Sequence, residues 1–368
     1  MRNIYLYIVA ATLILGYLMP QKGRQRKYYI TVMTLVHAFI CAFRYRFLTG
    51  DLMKYYSIFN GLKQYGWFSD QVMNEGRNSG FMLFLKLVGY LTDGNFQVVL
   101  IIIAAVVHLV LGYMIWRYSP APWMSFLVWN CMSFYLFGFS AIKQSFAMAF
   151  VMLSFIGIME RNLKFYLAMM LLAGLLHVPA LVFLPAYWFC QMKISPMTIA
   201  LYVLLGIALY LFKDQFVNFI KLFYYEDDEV FIFSGELGGR FIMILGFTLF
   251  SILISGFENP ALEKLTHLMA ISAILQMLAG FDNIFTRLTD YYFQMSVFYL
   301  PMLFFQDGQS VQRGALQPVF LFNNRSRKLL AAFLCLFMIW FYWTCNINIT
   351  IDIASDDYLN YRFMWDVK

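Results

Sequence analysis

Charged side chains that can bind an anion and move a proton lie close together early in the chain. Arg44 and Arg46 follow directly on an apolar segment, and Asp51 comes a few residues later. Arginine binds phosphate oxygens bidentately, and a carboxylate can accept the proton of a reacting hydroxyl group. This stretch therefore predicts an anion-binding site with a proton acceptor, placed beside a membrane.

Further polar residues stand near the ends of later apolar segments, where they would meet the same face of the membrane. They are Lys143, Gln144, His177, Arg240 and Arg287. An ionisable group at membrane depth is costly and usually faces a cavity. Cations that share one depth suit a phosphate or a pyrophosphate, because the guanidinium fork matches phosphate oxygens.

Each of these residues also has an ordinary structural interpretation. Arg44, Arg46 and Lys143 could anchor helix ends by reaching toward the lipid headgroups. Asp51 could form a surface ion pair with either arginine, and His177 could be a packing histidine. For the set as a whole, the shared location on the face that normally carries few cations favours a functional site.

The composition indicates a membrane protein. Hydrophobic residues make up 62% of the 368 residues and charged residues only 13%, more apolar surface than a soluble fold could bury. The net charge of +7 is spread over short connectors and does not indicate nucleic-acid binding. No pair of the five cysteines has metal-ligand spacing, and no G-x-S-x-G, H-E-x-x-H or phosphate-binding glycine-rich motif is present. We therefore expect neither a metal nor a cofactor.

The distribution of Lys and Arg orients the apolar segments. The basic connector 22–27 should be cytoplasmic, which puts the N-terminus, Arg44 and Asp51 outside. Counting onward gives an all-α, polytopic protein with about twelve transmembrane or re-entrant segments and both termini outside. The predicted segments are roughly 4–18, 28–42, 96–116, 122–139, 142–159, 165–189 (as two short helices), 197–212, 241–257, 262–279, 291–305 and 329–344.

Two segments decide this count. Phe81–Leu91 is too short to cross a core of roughly 30 Å, so we expect an amphipathic helix on the outer surface, with Lys86 and Tyr90 on one face. Phe165–Phe189 could be one kinked span or two short helices that meet at His177 and return. The hairpin is preferred, because a single span would put the basic loop at about residues 307–328 outside.

The whole chain, 1–368, is predicted to form a single integral membrane domain. Its larger outer loops cover about residues 44–95 and 213–240. The loop at about 307–328 is predicted to be cytoplasmic.

Four short motifs, in this order, resemble those of the bacterial EpsG family of Wzy-like exopolysaccharide, O-antigen or capsule polymerases. Arg44, Gly50-Asp51 and Tyr55 resemble an R…GxD…Y opening, and residues 141–147 (AIKQSFA) resemble an I-R-Q-x-I-A segment in which Lys143 replaces arginine. Residues 174–180 (GLLHVPA) resemble an H-x-S/T-A block, and Arg287 with Tyr291 resembles R-x-x-x-Y. The resemblance covers roughly residues 28 to 305.

The resemblance implies a membrane glycosyltransferase with a GT-C-like helical fold, and the lack of a metal-site pattern in the sequence predicts metal-independent catalysis. Its donor and acceptor would be glycans linked to undecaprenyl pyrophosphate, joined on the outer face of the bacterial inner membrane. Chain-length regulator and flippase proteins would be its partners in the bilayer. A glycan ligase of the same fold and a non-enzymatic flippase remain the alternatives.

The resemblance and the residue chemistry together suggest roles for the candidate residues. Arg44, Arg46, Lys143, Arg240 and Arg287 would bind the pyrophosphate, whose charge grows as it leaves. Asp51 or His177 would take the proton of the acceptor hydroxyl, and the sequence leaves both open. Tyr55, Gln144 and Tyr291 would contact the sugars.

Overall fold

The computed structural model describes residues 4–46, 48–73, 78–221, 237–254, 259–282, 284–305, 324–344 and 361–366. Within these ranges the chain is helical, and its only β pairing is an isolated antiparallel bridge between Arg44 and Phe363. In chain order the α-helices are α1 Ile4–Leu18, α2 Gly23–Ala42, α3 Gly50–Gly61, α4 Asp70–Met73, α5 Ser79–Leu91, α6 Phe96–Tyr118, α7 Pro122–Cys131, α8 Phe134–Phe137, α9 Ile142–Met159, α10 Leu163–Leu176, α11 Ala186–Phe189, α12 Pro196–Leu211, α13 Lys213–Lys221, α14 Gly239–Ile254, α15 Pro260–Met277, α16 Ile284–Phe293, α17 Ser296–Phe305 and α18 Asn324–Phe341.

Several helices are long and apolar enough to cross a membrane. Among the described residues these are α6, α9, α15 with its short extension to Gly280, and α18 from Arg325 to Thr344. A fifth span is possible if α12 and α13 count as one, although they meet at an angle of 82°. An all-helical membrane protein is thus confirmed, whereas the count of about twelve segments and the GT-C likeness stay predictions.

Some predicted spans are divided into shorter helices. The segment 122–139 breaks between α7 and α8, where Ser133 has a left-handed backbone with φ of 70°. The segment 291–305 breaks between α16 and α17. Helices α1, α10, α14 and α17 are apolar but shorter than an ordinary span of about twenty residues.

The basic connectors gather at one end of the bundle. Arg26, near the start of α2, donates hydrogen bonds to the carbonyl oxygens of Trp116 (3.0 Å) and Ser119 (2.8 Å) after α6. Arg117 pairs with Glu160 at the end of α9. We call this the basic end. Its composition agrees with the prediction that these connectors share one side of the membrane.

The opposite end joins the end of α2 to the C-terminal segment 361–366. The amide of Tyr45 donates to the carbonyl of Arg362 (2.8 Å), and the amide of Met364 donates to that of Phe43 (2.9 Å). Gln97, at the start of α6, donates to the carbonyl of Ala42 at 2.7 Å. The tail and Arg44 therefore lie at one end, as the predicted topology requires. Residues 307–323 of the predicted cytoplasmic loop lie outside the described residues.

Helix α10 and the residues after it form the predicted hairpin. Tyr166, near the start of α10, donates its hydroxyl to the carbonyl of Leu184 at 3.2 Å, so the chain has reversed between them. Gln191 then donates to the carbonyl of Ile158 at 3.1 Å, which returns the chain to the basic end. His177 lies at the turn, between α10 and a short 3₁₀ helix over Val178–Phe183.

Helix α5 differs from the expected surface helix in one respect. Lys86 is buried, and its ammonium group donates to the carbonyls of Leu62 (2.7 Å) and Tyr65 (2.6 Å) beyond the end of α3. Tyr90 is instead 76% exposed, so the two side chains do not share one water-facing side as predicted. The ammonium group thus adds hydrogen bonds to carbonyls at a helix end, where the helix supplies few backbone donors.

Candidate active site

Helix α16 carries the densest group of candidate residues. Arg287, Asp290 and Tyr291 are spaced three and four residues apart, which puts their side chains on one helical face. Asp290 is 7% exposed and Tyr291 is fully buried. This face points into the protein, where an ionised group must be compensated by charges or hydrogen bonds.

His177 meets this face from the turn of the hairpin. Its Nδ1 atom is hydrogen-bonded to the hydroxyl of Tyr291, and both residues are buried. Burial, and then the positive charges of Lys143 and Arg287, lower the pKa of His177 well below its ordinary value. His177 lies outside the helices that are long and apolar enough to cross a membrane. Because its pKa is lowered, the imidazole is neutral at neutral pH.

The first turn of α9 closes the group from a third direction. The side-chain amide of Gln144 donates to the backbone carbonyl of Arg287 at 2.9 Å and so fixes α9 against α16. Lys143, the preceding residue, is close enough for its charge to act on His177. Gln144 is thus placed to hold α9 against α16, and its contact with a sugar stays a prediction.

Arg240 at the start of α14 pairs with Asp290. The guanidinium contacts the carboxylate and also lies 5.0 Å from the ring centre of Phe293. Sequence reasoning included Arg240 but missed Asp290 as a site residue. Asp290 lies three residues after Arg287 on one helix, and this spacing could have indicated an acid that pairs with the predicted cations.

The start of α5 also reaches the turn. The backbone amide of Val178 donates to the side-chain oxygen of Asn78 at 3.4 Å, and Asn78 is buried. Gly80 lies against α10 so closely that a Cβ atom there would be 2.5 Å from the carbonyl oxygen of Leu175. The start of α5 is therefore packed directly against the hairpin that carries His177. Asn78 is a second residue that sequence reasoning missed.

Arg44 belongs to a different set of contacts. It is 1% exposed, and it donates to the carbonyl of Cys41 and, at 3.4 Å, to that of Gly138. Its guanidinium also lies 5.4 Å from the ring centre of Phe139. Among the described residues its Nε atom has no hydrogen-bond partner. These contacts tie the end of α2 to the turn before α9.

The remaining residues of the opening motif are less buried. Arg46 is exposed and lies 5.4 Å from the ring centre of Tyr56. Asp51 is exposed in the first turn of α3, where a negative charge suits the helix N-terminus. Tyr55 is half-buried and contacts the ring of Phe81 on α5, with ring centres 5.6 Å apart.

The structure thus brings together one part of the predicted set. Hydrogen bonds, an ion pair and charge interactions join Lys143, Gln144, His177, Arg240, Arg287 and Tyr291, with Asp290 and Asn78 added. We call these eight residues the cation cluster. The cluster can bind an anion and hold a neutral imidazole beside it. In the described ranges no three His, Cys, Asp or Glu residues are placed to hold a metal ion.

Comparison with known proteins adds a family. The EpsG family model matches residues 27–363, which extends the predicted resemblance through the tail that pairs with Arg44. No curated protein and no solved structure matches the chain. Because the match covers nearly the whole sequence, the chain belongs to the EpsG family of Wzy-like polysaccharide polymerases.

Proposed function

We propose that this protein is a glycosyltransferase that polymerises oligosaccharide repeat units linked to undecaprenyl pyrophosphate. The reaction takes place on the outer face of the bacterial inner membrane. The observation that supports this most is the cation cluster, in which the charges of Lys143 and Arg287 act on a buried, neutral His177 and Arg240 pairs with Asp290, the residue before Tyr291. A pyrophosphate diester is the part of such a substrate that these charges suit.

The proposed reaction is a substitution at the anomeric carbon of the donor. The acceptor hydroxyl oxygen bonds to that carbon, and the bond from the carbon to the pyrophosphate oxygen breaks. Lipid pyrophosphate leaves with the bonding electrons, and the hydroxyl proton passes to a base. Positive groups placed in advance stabilise the charge that develops on the leaving group.

The contacts of the cations favour unequal parts for them in this proposal. Arg287 and Lys143 lie beside His177 and would contact the pyrophosphate, with Arg240 held next to them by Asp290. Arg44 already donates to two carbonyl groups inside the protein, which favours a supporting role. Arg46 is exposed and would meet the substrate only at its entrance.

Two residues are candidates for the base that takes the proton of the acceptor hydroxyl. Asp51 is an exposed carboxylate on α3, and His177 is a buried imidazole in the cation cluster. A general base contributes about 10²–10⁴-fold to the rate. Tyr55 is half-buried beside Phe81 and would face the sugars.

The bilayer supplies both substrates, and proteins that flip the repeat unit and regulate chain length are the proposed partners. Deletion of the gene, followed by analysis of lipid-linked glycans, tests the function. A polymerase defect should leave single repeat units on the lipid at the outer face. Accumulation at the inner face would indicate a flippase, and accumulation of long lipid-linked polymer would indicate a ligase. Either result would overturn the proposal.

A further inference from the structure

Gln97, at the start of α6, caps the last turn of α2. The final carbonyl groups of an α-helix have no partner within the helix. The buried side-chain amide of Gln97 donates to the carbonyl of Ala42, the last residue of α2, at 2.7 Å. It also lies 3.3 Å from the carbonyl of Arg44, just beyond the helix. The backbone amide of Gln97 is itself bonded to the side chain of Asn95 at 3.1 Å, so the cap is part of the start of α6.

The C-terminal segment 361–366 forms the other part of this cap. The hydroxyl of Tyr361 donates to the carbonyl of Ile40, in the last turn of α2, at 2.8 Å. Tyr361 is fully buried, and its ring contacts that of Phe139 with ring centres 6.1 Å apart. Phe139 is also the ring that lies beside the guanidinium of Arg44. The segment therefore holds both the backbone before Arg44 and the ring next to its side chain.

The guanidinium of Arg44 lies next to this cap and is only partly engaged. Arg44 is almost fully buried, and within the described ranges it has no carboxylate partner, unlike Arg240 with Asp290. Its Nη atoms donate to the carbonyls of Cys41 and Gly138, whereas its Nε atom meets no acceptor among the described residues. A buried donor without an acceptor lowers stability, and a ligand is one of the few reasons to keep it.

The carbonyls at the end of α2 are potential competitors for this donor. They carry partial negative charge, and an arginine within reach binds them when no other donor does. We propose that Gln97 and the C-terminal segment 361–366 position Arg44: by satisfying these carbonyls they keep the Nε atom of Arg44 available for an anionic group of the substrate. This role rests on the proposed function, in which phosphate oxygens are the group that a guanidinium would bind.

Cys41 provides a readout that needs no activity. Its thiol lies 3.1 Å from the Nη1 atom of Arg44 and is buried, so a small maleimide reaches it only when this turn opens. Gln97→Leu removes the donor but keeps most of the side-chain volume. It should speed the labelling of Cys41 in lipid nanodiscs by about tenfold, because a buried hydrogen bond is lost. Peptide mass spectrometry measures each cysteine separately, and labelling of Cys41 at the wild-type rate would overturn the proposal.

Gln191 provides the matched control at the basic end. Its side-chain amide donates to the carbonyl of Ile158 at 3.1 Å, in the last turn of α9, as that of Gln97 does at the end of α2. Gln191→Leu should leave the labelling of Cys41 unchanged, and Gln97→Leu should leave that of the buried Cys131 unchanged. Faster labelling of Cys41 in Gln191→Leu, or of Cys131 in Gln97→Leu, would indicate general loosening of the bundle and contradict a local cap.

A chain that ends at residue 360 tests the C-terminal segment. It lacks the donor to Ile40 and the ring against Phe139, so Cys41 should be labelled at least as fast as in Gln97→Leu. Tyr361→Phe, which lacks only the hydroxyl, should change the labelling in the same direction and serves where the truncated chain does not insert. Wild-type labelling of Cys41 in the folded variants would overturn the role of the segment.

Polymer synthesis by purified protein tests whether the cap acts through Arg44. Arg44→Lys keeps the charge but has no Nε donor. Gln97→Leu should reduce the rate by about tenfold in the wild-type background and by less than about twofold in Arg44→Lys, because a positioning residue matters only through the group that it positions. Equal losses in both backgrounds would overturn the proposal. Absence of polymer from the wild type would instead reject the proposed function, and the labelling of Cys41 would still decide whether the cap holds this turn.

Discussion

At the scale of single residues, the burial of an ion pair determines how much stability the protein loses when one of the two charges is removed. Asp290 and Arg240 form an ion pair whose side chains are 10% and 24% exposed. Removing one partner of such a pair leaves the other charge in a poorly solvated place, which costs more than the pair itself contributes. The pair of Arg117 and Glu160 at the basic end is far more exposed, at 34% and 49%.

The two pairs should therefore respond differently to the loss of one charge. Asp290→Asn should lower the stability by about 1–3 kcal/mol, since Arg240 loses its counter-charge near α16. Glu160→Gln should change it by less than about 1 kcal/mol, because water and salt screen exposed charges. Thermal unfolding in one detergent measures both variants. Equal shifts in the two midpoints would contradict the importance of burial here.

The pKa of His177 predicts how activity depends on pH. Because burial and nearby cations lower this pKa, His177 should stay neutral as the pH falls through about 6.5, where an ordinary histidine gains a proton. The pH profiles of the wild type and of His177→Gln should hence be parallel between about pH 7 and 6. A loss of activity in this range that occurs only in the wild type would show that His177 titrates normally.

At the scale of helices, close packing around the hairpin fixes the position of His177. Helix α5 approaches α10 at Gly80, where even a methyl group would collide with the backbone of Leu175. Gly246, inside α14, has no neighbour within 4 Å of the same position. The distribution of Lys and Arg in the loops predicted the hairpin, but it carried no information about this contact.

Adding one methyl group at these two glycines tests the packing. Gly80→Ala should push α5 away from the turn and reduce polymer synthesis by at least fivefold, because displacement of a catalytic group by about 1 Å can cost up to about 10²-fold. Gly246→Ala should keep full activity and slightly stabilise α14, since alanine is the better helix former. Synthesis by purified variants at equal protein amounts is the measurement. Normal activity in Gly80→Ala would mean that this contact does not position His177.

At the scale of the whole molecule, the sequence predicted much of the arrangement and missed specific contacts. Hydropathy and charge bias predicted an all-helical membrane chain with its basic connectors at one end, as Arg26 and Arg117 show. They could not predict that Lys86 turns inward to satisfy carbonyls, or that Asp290 pairs with Arg240. Such contacts join residues that are far apart in sequence, and periodicity within one helix does not contain them.

The orientation in the membrane is a further prediction for the whole chain. Arg46, Asp51, Arg287 and the tail should face outside, and Arg26 and Arg327 the cytoplasm. Four native cysteines are buried, so cysteines introduced one at a time, after replacement of Cys345, can be labelled with an impermeant reagent in intact cells. Arg46→Cys should be labelled and Arg327→Cys should not. Labelling of Arg327→Cys alone would invert the proposed orientation.

The most direct test of the whole account is polymer synthesis by the purified protein in nanodiscs, supplied with lipid-linked repeat units. The wild type should make a ladder of long glycan, and Arg287→Ala should reduce the rate by about 10²–10³-fold because the leaving group loses a cation. Arg287→Lys should retain partial activity, since the charge remains without the bidentate fork. Arg117→Ala, at the opposite end, should behave as the wild type. Wild-type rates in Arg287→Ala would contradict the cation cluster as the pyrophosphate site, and no polymer from the wild type would contradict the function itself.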